Sequence, residues 1–156
     1  MAANHDSSDS TLRVALDANG HRFTEQRAAV YRFLSHTQDH PTADEVFLKV
    51  RLDVPGISLA TVYKALETLV GCGLAIRLSY SDGSARYDGR TDPHHHTRCL
   101  ACGSVADIPG HLPDGYLEDL YANSGAFRAM GYRLELSGYC VECAPALDVG
   151  ASRTSA

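Results

Sequence analysis

The stretch that decides the architecture is residues 94–107, His-His-His-Thr-Arg-Cys-Leu-Ala-Cys-Gly-Ser-Val-Ala-Asp. It contains one Cys-x-x-Cys pair, Cys99 and Cys102, and the same spacing returns downstream at Cys140 and Cys143. Each short pair can turn both thiolates toward one point, and four thiolates about 2.3 Å from a zinc ion form a closed tetrahedral cage. The spacing therefore predicts a structural Zn(2+) held by the four cysteines.

The histidines that open this stretch predict a second kind of metal site. If His94 to Cys99 is a β-strand, its side chains alternate, so His94 and His96 share one face and His95 takes the other. Two imidazoles, with Asp107 available from the next strand, suit a borderline or hard metal such as iron, manganese or zinc. We therefore expect one structural metal and one functional metal.

The composition limits both the architecture and the partners. A chain of 156 residues with 44% apolar content fits one compact domain or two small ones. Two half-size domains would each be marginally stable without a staple, and a zinc cage is such a staple. The formal net charge of −5 argues against promiscuous nucleic-acid binding. Any DNA contact must come from a local arrangement of a few cations.

The compartment is expected to be the cytoplasm. The first ten residues are polar and acidic rather than basic and then apolar, and no apolar run reaches about 18 residues. Four of the five cysteines belong to the metal pattern, which argues against a disulfide framework. The fifth, Cys72, lies in an apolar stretch and is expected to be a small buried residue at a helix end.

The first half of the chain reads as a series of helices. Residues 1–10 are predicted to be a disordered tail, and residues 11–19 a short helix that Asn19-Gly20 stops. Three further helices are expected to begin after the N-cap residues Thr24, Thr42 and Ser58.

After Gly73 the apolar period changes from helical to alternating. This change predicts a β-hairpin formed by residues 74–80 and 84–88, with a turn between them. Three helices followed by a two-stranded hairpin is the order of a winged helix-turn-helix, whose last helix enters the DNA major groove. We assign residues 11–88 to a winged-helix DNA-binding domain.

Residues 89–93 are polar and are predicted to be a linker between two domains. Beyond them, residues 94–146 read as strand, strand, helix (113–123) and strand (132–139). Such a small α/β unit is too thin to bury both of its faces, so we expect it to dimerise. Residues 147–156 are predicted to be a flexible tail. The fold class is thus α+β, a winged helix followed by a dimerisation domain with a structural zinc.

At this point the sequence resembles the ferric uptake regulator (Fur) family, which comprises metal-dependent, dimeric, winged-helix repressors of bacteria. The resemblance extends from about Leu12 to Cys143. The residues that carry it are Arg22–Arg27, His40–Asp44, Leu59–Tyr63, Arg86–Asp88, the run His94-x-His96-x-x-Cys99-x-x-Cys102, and Cys140-x-x-Cys143.

Within the family the sequence is most similar to the peroxide-sensing branch, whose regulatory site uses three histidines and two aspartates. The matching positions are His40, Asp88, His94, His96 and Asp107. The resemblance implies Fe(2+) or Mn(2+) at this site, with iron-catalysed oxidation of His40 or His94 as the response to peroxide. Iron sensors usually carry glutamates at the two aspartate positions, and an iron-responsive repressor of iron uptake is the alternative.

Tyr132 stands where many iron-sensing members have a histidine of a third metal site, so the resemblance implies that this site is absent. The sequence assigns no role to the remaining histidine of the run, His95; a dimer-face residue and an accessory metal residue are among the alternatives.

The resemblance also implies a homodimer on double-stranded DNA with a palindromic AT-rich operator. We expect Tyr63 and Lys64 at base edges or thymine methyl groups, Thr61 near a phosphate and Arg22 in the minor groove. Arg77 and Arg86 on the hairpin are either phosphate contacts or solvated strand residues. Lys64 replaces the usual arginine or asparagine, so the operator sequence is not specified.

Two rival classes fit less well. Zinc deaminases need a glutamate two residues after the histidine ligand, and none follows His94 here. Four cysteines also leave zinc no open position, so we expect no enzyme activity. A protein-binding zinc ribbon without a DNA role leaves the winged-helix half unexplained.

Overall fold

The computed structural model describes residues 3–80, 83–110, 112, 115, 121–122, 125 and 132–144. The chain divides into two compact units, an N-terminal unit (Met1–Asp92) and a C-terminal unit (Pro93–Ala156). The helices are α1 (Ala3–Ala18), α2 (Glu25–His36), α3 (Ala43–Val50) and α4 (Leu59–Gly71). The strands are β1 (Ile76–Ser79), β2 (Ala85–Asp88), β3 (His95–Cys99), β4 (Val105–Ile108) and β5 (Glu135–Gly138). Among the described residues, no helix combines the length and the apolar character that crossing a bilayer requires.

Helix α1 begins earlier than the sequence pattern indicated. The helix starts at Ala3, so the prediction of a disordered tail over residues 1–10 is wrong from Ala3 onward. The Asp9 carboxylate accepts two hydrogen bonds of 2.8 Å from the Arg32 guanidinium on α2. Leu12 and Leu16 are fully buried in the core that they share with α2. A partner 23 residues away stabilises this helix, and a local pattern does not reveal it.

The predicted stop at Asn19-Gly20 is confirmed. Gly20 adopts φ 71°, a left-handed conformation that favours glycine, and the His21 N–H donates to the Leu16 carbonyl (2.9 Å).

The three predicted N-caps are also confirmed. Thr24 Oγ1 and Ser58 Oγ each accept a hydrogen bond from the backbone N–H three residues later. Thr42 forms a complete capping box with Glu45, because Thr42 Oγ1 accepts from the Glu45 N–H (3.3 Å) and the Thr42 N–H donates to Glu45 Oε2 (2.7 Å). These caps fix where α2, α3 and α4 begin.

The core of the N-terminal unit is apolar and lies between the four helices. On α4, Val62, Leu66 and Leu69 are buried, while Tyr63 is 42% exposed and Lys64 is exposed. Complete burial of one leucine or valine contributes about 1.5–3 kcal/mol, so this core dominates the stability of the unit. Its fully buried members include Leu12, Leu16, Val30, Leu34, Val46, Val62, Leu66 and Leu69.

Strands β1 and β2 form the predicted antiparallel hairpin. Ile76 pairs with Asp88 at the open end and Ser79 pairs with Ala85 near the turn. Gly83, at φ 82°, donates its N–H to the Tyr80 carbonyl (3.0 Å), while residues 81–82 of the turn lie outside the described residues. Helices α2 to α4 followed by this hairpin have the winged-helix order.

A three-stranded sheet in the order β4-β3-β5 forms the C-terminal unit. Strand β3 runs antiparallel to β4 and parallel to β5. His96, on β3, is opposite Asp107 on one side and Glu135 on the other. The predicted helix at 113–123 falls largely outside the described residues, and the predicted tail at 147–156 falls wholly outside them. The strand predicted at 132–139 is shorter than expected, at Glu135–Gly138.

The ion pair at α1 gives a stability prediction. We expect Asp9→Ala to lower the free energy of unfolding by about 1 kcal/mol, because a half-buried bidentate arginine–carboxylate pair is lost. Amide hydrogen exchange in the first turns of α1 should accelerate. Asp17→Ala on the same helix, at an exposed position, is the control and should leave exchange there unchanged. Equal exchange in both variants would contradict the assigned role of Asp9.

Candidate metal centres

The four cysteines of the two Cys-x-x-Cys pairs converge in the C-terminal unit. Their sulfur atoms all lie within 4.8 Å of one another, and Cys102 Sγ is 3.8 Å from Cys140 Sγ. Sulfur atoms placed tetrahedrally about 2.3 Å from a zinc ion are separated by about 3.8 Å. The cluster therefore fits a structural zinc with four thiolate ligands.

Tight turns at the ends of two neighbouring strands bring these sulfurs together. Cys99 is the last residue of β3, and the following turn returns with the Gly103 N–H donating to the Cys99 carbonyl (2.9 Å). Gly103 has φ 71°, so the turn requires a left-handed residue. Cys140 follows β5, and the Cys143 N–H donates to its carbonyl (3.0 Å).

Hydrogen bonds to the sulfurs shift the pKa values of Cys99, Cys102 and Cys143 in different directions. Backbone N–H groups of Cys102 and Cys140 lower the pKa of Cys99 to about 6. The Ser104 hydroxyl, whose Oγ lies 3.2 Å from Cys102 Sγ, lowers the pKa of Cys102. The adjacent Cys140 sulfur raises the pKa of Cys143 to about 12. Four thiolates this close repel one another, and a dication at their centre offsets this electrostatic repulsion.

A histidine and an aspartate meet in the N-terminal unit. His40 Nε2 lies 3.5 Å from Asp88 Oδ2, with side chains only 2% and 8% exposed. His40 precedes the N-cap of α3, and Asp88 is the last residue of β2. The other carboxylate oxygen, Asp88 Oδ1, accepts a hydrogen bond from the Arg90 N–H (2.7 Å). This bond fixes the direction of the carboxylate.

Gly89 allows the chain to pass close to α2 directly after Asp88. A Cβ at this position would lie 2.4 Å from the Leu34 carbonyl oxygen and 2.7 Å from its carbon. Both are backbone atoms that cannot rotate away. The local sequence predicts only a polar linker at this glycine, because nothing near it in the chain signals the approach of a helix 55 residues earlier.

Two histidines and an aspartate meet in the C-terminal unit. His94 Nε2 and His96 Nε2 lie 3.3 Å and 3.8 Å from the same atom, Asp107 Oδ1. The two imidazole centroids are 4.5 Å apart. The β3–β4 register, which places His96 opposite Asp107, produces this arrangement. His94 and His96 share one face, as the alternation predicted.

His95 points to the other face, where its partner is Tyr132. The Tyr132 hydroxyl lies 3.2 Å from His95 Nε2, and the ring centroids are 5.2 Å apart. His95 itself is buried and Tyr132 is 46% exposed. The residue left without an assigned role in the sequence therefore packs against a tyrosine.

Both His/Asp groups have spacings compatible with metal ligation. Neighbouring ligand atoms around a metal with bonds of about 2.1 Å lie roughly 3.0–3.5 Å apart, and the His40–Asp88 and His94–Asp107 distances fit this range. All donors are imidazole nitrogens or carboxylate oxygens, which suit iron and manganese better than thiolates do. The group in the C-terminal unit has the two-histidine, one-carboxylate composition that is known to bind Fe(II).

Comparison with known proteins agrees with this ligand chemistry. Residues 18–136 match the model of the ferric uptake regulator family. The chain belongs to this family. It is 37% identical over 130 residues to the peroxide-responsive repressor PerR of Staphylococcus saprophyticus, an alignment that covers 83% of this chain and 86% of that protein. The resemblance deduced from the motifs is thus confirmed.

Solved structures of Fur-family proteins share the fold. The Helicobacter pylori ferric uptake regulator matches with a TM-score of 0.74 at 22% identity, covering 90% of this chain and 93% of that one. The Campylobacter jejuni peroxide stress regulator matches with a TM-score of 0.61 at 30% identity, covering 76% and 89%. The α+β architecture is therefore that of the Fur family.

Most of the residues predicted to contact DNA are accessible in this Fur-family chain. Arg22, Tyr63, Lys64 and Arg77 are exposed. Thr61 is half-buried near the start of α4, and its hydroxyl lies 2.8 Å from Ser58 Oγ.

The structure decides against one of the two environments predicted for Arg86. Its side chain is only 17% exposed, and its Nη1 donates to the His40 carbonyl oxygen (2.8 Å). It is therefore not a solvated strand residue, while the phosphate contact stays a prediction. The sequence pattern does not reveal the partner of Arg86 because it is 46 residues away.

Cys72 is the C-cap residue of α4 and is half-buried. Burial raises the pKa of its thiol, which favours the unreactive form. The predicted position at a helix end is thus confirmed, but the residue is half-buried rather than buried.

The cysteine cluster gives a metal-content prediction. We expect Cys140→Ser to reduce bound zinc from one ion per chain to substoichiometric levels, because a serine hydroxyl is a poor replacement for a thiolate. The melting temperature should fall at the same time, since metal binding and folding are coupled in small zinc units. Cys72→Ser is the matched control and should retain full zinc. Zinc measured by atomic emission in both purified variants decides the question.

Gly89 gives a packing prediction. We expect Gly89→Ala to destabilise the zinc-loaded protein by about 1–3 kcal/mol in urea unfolding, because the added methyl group meets the α2 backbone. Gly56→Ala is the control, since a Cβ at Gly56 has no atom within 4 Å and its φ is not positive. Equal stability of the two variants would contradict the close approach.

Proposed function

We propose that this protein is a metal-dependent, DNA-binding transcriptional repressor that senses peroxide. In this proposal His40, Asp88, His94, His96 and Asp107 hold one Fe(2+) or Mn(2+) ion together, and the four-cysteine zinc is structural. The observation that carries the proposal is the presence of two small His/Asp groups with ligand spacing, one formed by residues before the 89–93 segment and one by residues after it. Neither group alone provides more than three of the ligands.

Shared ligation would convert metal affinity into domain orientation. Two ligands belong to the winged-helix unit and three to the sheet unit, so the full set is satisfied in only one relative arrangement of the units. A preference of about 3 kcal/mol for that arrangement would raise the DNA-competent population by about a hundredfold. The protein without regulatory metal is therefore a weak DNA binder.

The response to peroxide would come from the ligands themselves. Fe(2+) held by these ligands would supply the reductive cleavage of the peroxide O–O bond, with one oxygen inserted into a C–H bond of a ligand imidazole and the other released as water, whereas Mn(2+) would not. An oxidised His40 or His94 ring binds metal less well, so its contribution to the shared site is lost and the units are released from the DNA-competent arrangement. Aspartates at positions 88 and 107, and the 37% identity to a peroxide-responsive repressor, favour this branch of the family.

On DNA, α4 would act as the recognition helix of each protomer in a homodimer. Tyr63 and Lys64 would read base edges in the major groove, Thr61 would lie near a phosphate, and Arg22 would enter the minor groove of a palindromic AT-rich operator. Arg77 on the hairpin would contact a phosphate. The protein would act in the cytoplasm, where the operator and reduced thiolates are both present.

The peroxide step has a direct test. We expect an Fe(2+)-loaded sample, exposed briefly to hydrogen peroxide, to gain one oxygen atom on the peptide containing His40 or the peptide containing His94, measured by mass spectrometry. A Mn(2+)-loaded sample treated in the same way is the control and should remain unmodified. Metal-reversible DNA binding without any oxygen gain would instead favour an iron-responsive repressor.

Metal dependence of DNA binding has a separate test. We expect His40→Ala to abolish the Mn(2+)-dependent mobility shift of a palindromic AT-rich fragment, because one of five ligands is removed, while zinc content stays at one per chain. His36→Ala, an exposed histidine at the end of α2, should bind as the wild type does. Retained metal-dependent binding by His40→Ala would exclude the five-ligand site.

A further inference from the structure

Arg86 connects strand β2 to the loop that carries His40. Its Nη1 donates to the His40 carbonyl oxygen at 2.8 Å. Arg86 lies two residues before Asp88 on β2, so both side chains leave the same face of the strand. One face of a four-residue strand thus provides both an aspartate beside the His40 ring and a guanidinium that holds the His40 backbone.

Two further contacts hold the same loop. The Tyr87 N–H donates to the Pro41 carbonyl (2.9 Å), and Glu45 Oε2 accepts the Thr42 N–H (2.7 Å). The same Glu45 oxygen lies 3.4 Å from Arg86 Nη1, so the guanidinium also joins the capping box of α3. Residues 40–42 are therefore held between β2 and the start of α3 by three successive polar contacts.

The neighbouring hairpin cation is in a different environment. Arg77 on β1 is opposite Tyr87 in the register and its side chain is exposed. The two arginines have the same charge and lie on paired strands, but only Arg86 is directed inward to a backbone carbonyl. An arginine held in this way has a fixed donor geometry, which a flexible surface cation lacks.

We propose that Arg86 is a positioning residue for the regulatory metal. By holding the His40 carbonyl to β2, it sets the His40 imidazole beside the Asp88 carboxylate before any ion arrives. The two ligands then bind as one preformed pair. The conformational entropy of the loop is lost on folding, so metal binding does not have to supply that free energy. Loss of an outer partner of a ligand typically weakens metal binding by about 10–100-fold. The inference rests on the proposed function, since it assumes that His40 and Asp88 are ligands.

The test measures Mn(2+) binding to the full-length, zinc-loaded protein without DNA, using the electron paramagnetic resonance signal of free Mn(2+). We expect Arg86→Gln to raise the Kd for Mn(2+) by about 10–100-fold. Arg86→Lys should recover part of the affinity, because an ammonium group can donate one hydrogen bond to the His40 carbonyl. Arg77→Gln, which removes the same charge from the paired strand, should keep the wild-type Kd.

DNA binding at saturating Mn(2+) separates positioning from two other roles. We expect excess Mn(2+) to restore the operator affinity of Arg86→Gln to that of the wild type, since only the metal affinity is impaired. A defect that persists at saturating metal, with a wild-type Mn(2+) Kd and a weaker salt dependence, would identify Arg86 as a phosphate contact and overturn the proposal. A persistent defect with loss of thermal stability would overturn it as well, in favour of a general folding role.

His40→Ala in the same titration separates this inference from the proposed function. If His40→Ala binds Mn(2+) as the wild type does, the regulatory site itself is wrong. If His40→Ala loses binding but Arg86→Gln keeps the wild-type Kd, only the positioning role fails.

Discussion

The convergence of four sulfur atoms at the ends of β3 and β5 is the constraint on which the C-terminal unit depends. Cys99 ends β3, opposite Gly138 of β5, and Cys140 follows two residues later. A zinc bound there closes the two strand ends together, and such closure contributes on the order of 10 kcal/mol in small zinc units. With β3 fixed at this end, its register against β4 places His96 opposite Asp107. The structural metal thus stabilises the strand that also carries candidate ligands of the second metal.

In the N-terminal unit, hydrogen bonds rather than a structural zinc position the candidate ligands. Its candidate ligands, His40 and Asp88, come from a loop and a strand end that backbone hydrogen bonds and one arginine hold together. The Asp88 carboxylate is oriented by the Arg90 N–H, and Gly89 lets the chain turn away beside α2. Burial of a carboxylate and an imidazole is costly unless they have partners. The close pairing of these two groups offsets part of that cost.

The features that sequence could predict are those with short-range causes. N-caps at Thr24, Thr42 and Ser58 depend on residues three positions away, and the cysteine pairs depend on a fixed local spacing. Strand alternation was enough to put His94 and His96 on one face. The early start of α1 and the inward direction of Arg86 depend instead on partners 23 and 46 residues away. Local periodicity carries no information about such partners, so these two features required the structure.

Ligand chemistry explains how one small chain can keep two metals apart. Thiolates are soft donors that retain zinc, whereas the imidazole and carboxylate groups are harder and select iron or manganese. Four cysteines also complete a tetrahedron and leave no open position for exchange or reaction. The imidazole and carboxylate groups, by contrast, do not complete a closed thiolate tetrahedron around the ion they would hold. A retained ion in the thiolate site and an exchangeable ion in the nitrogen–oxygen site follow from this difference in donors, and a sensor needs its signal metal, not its structural one, to leave.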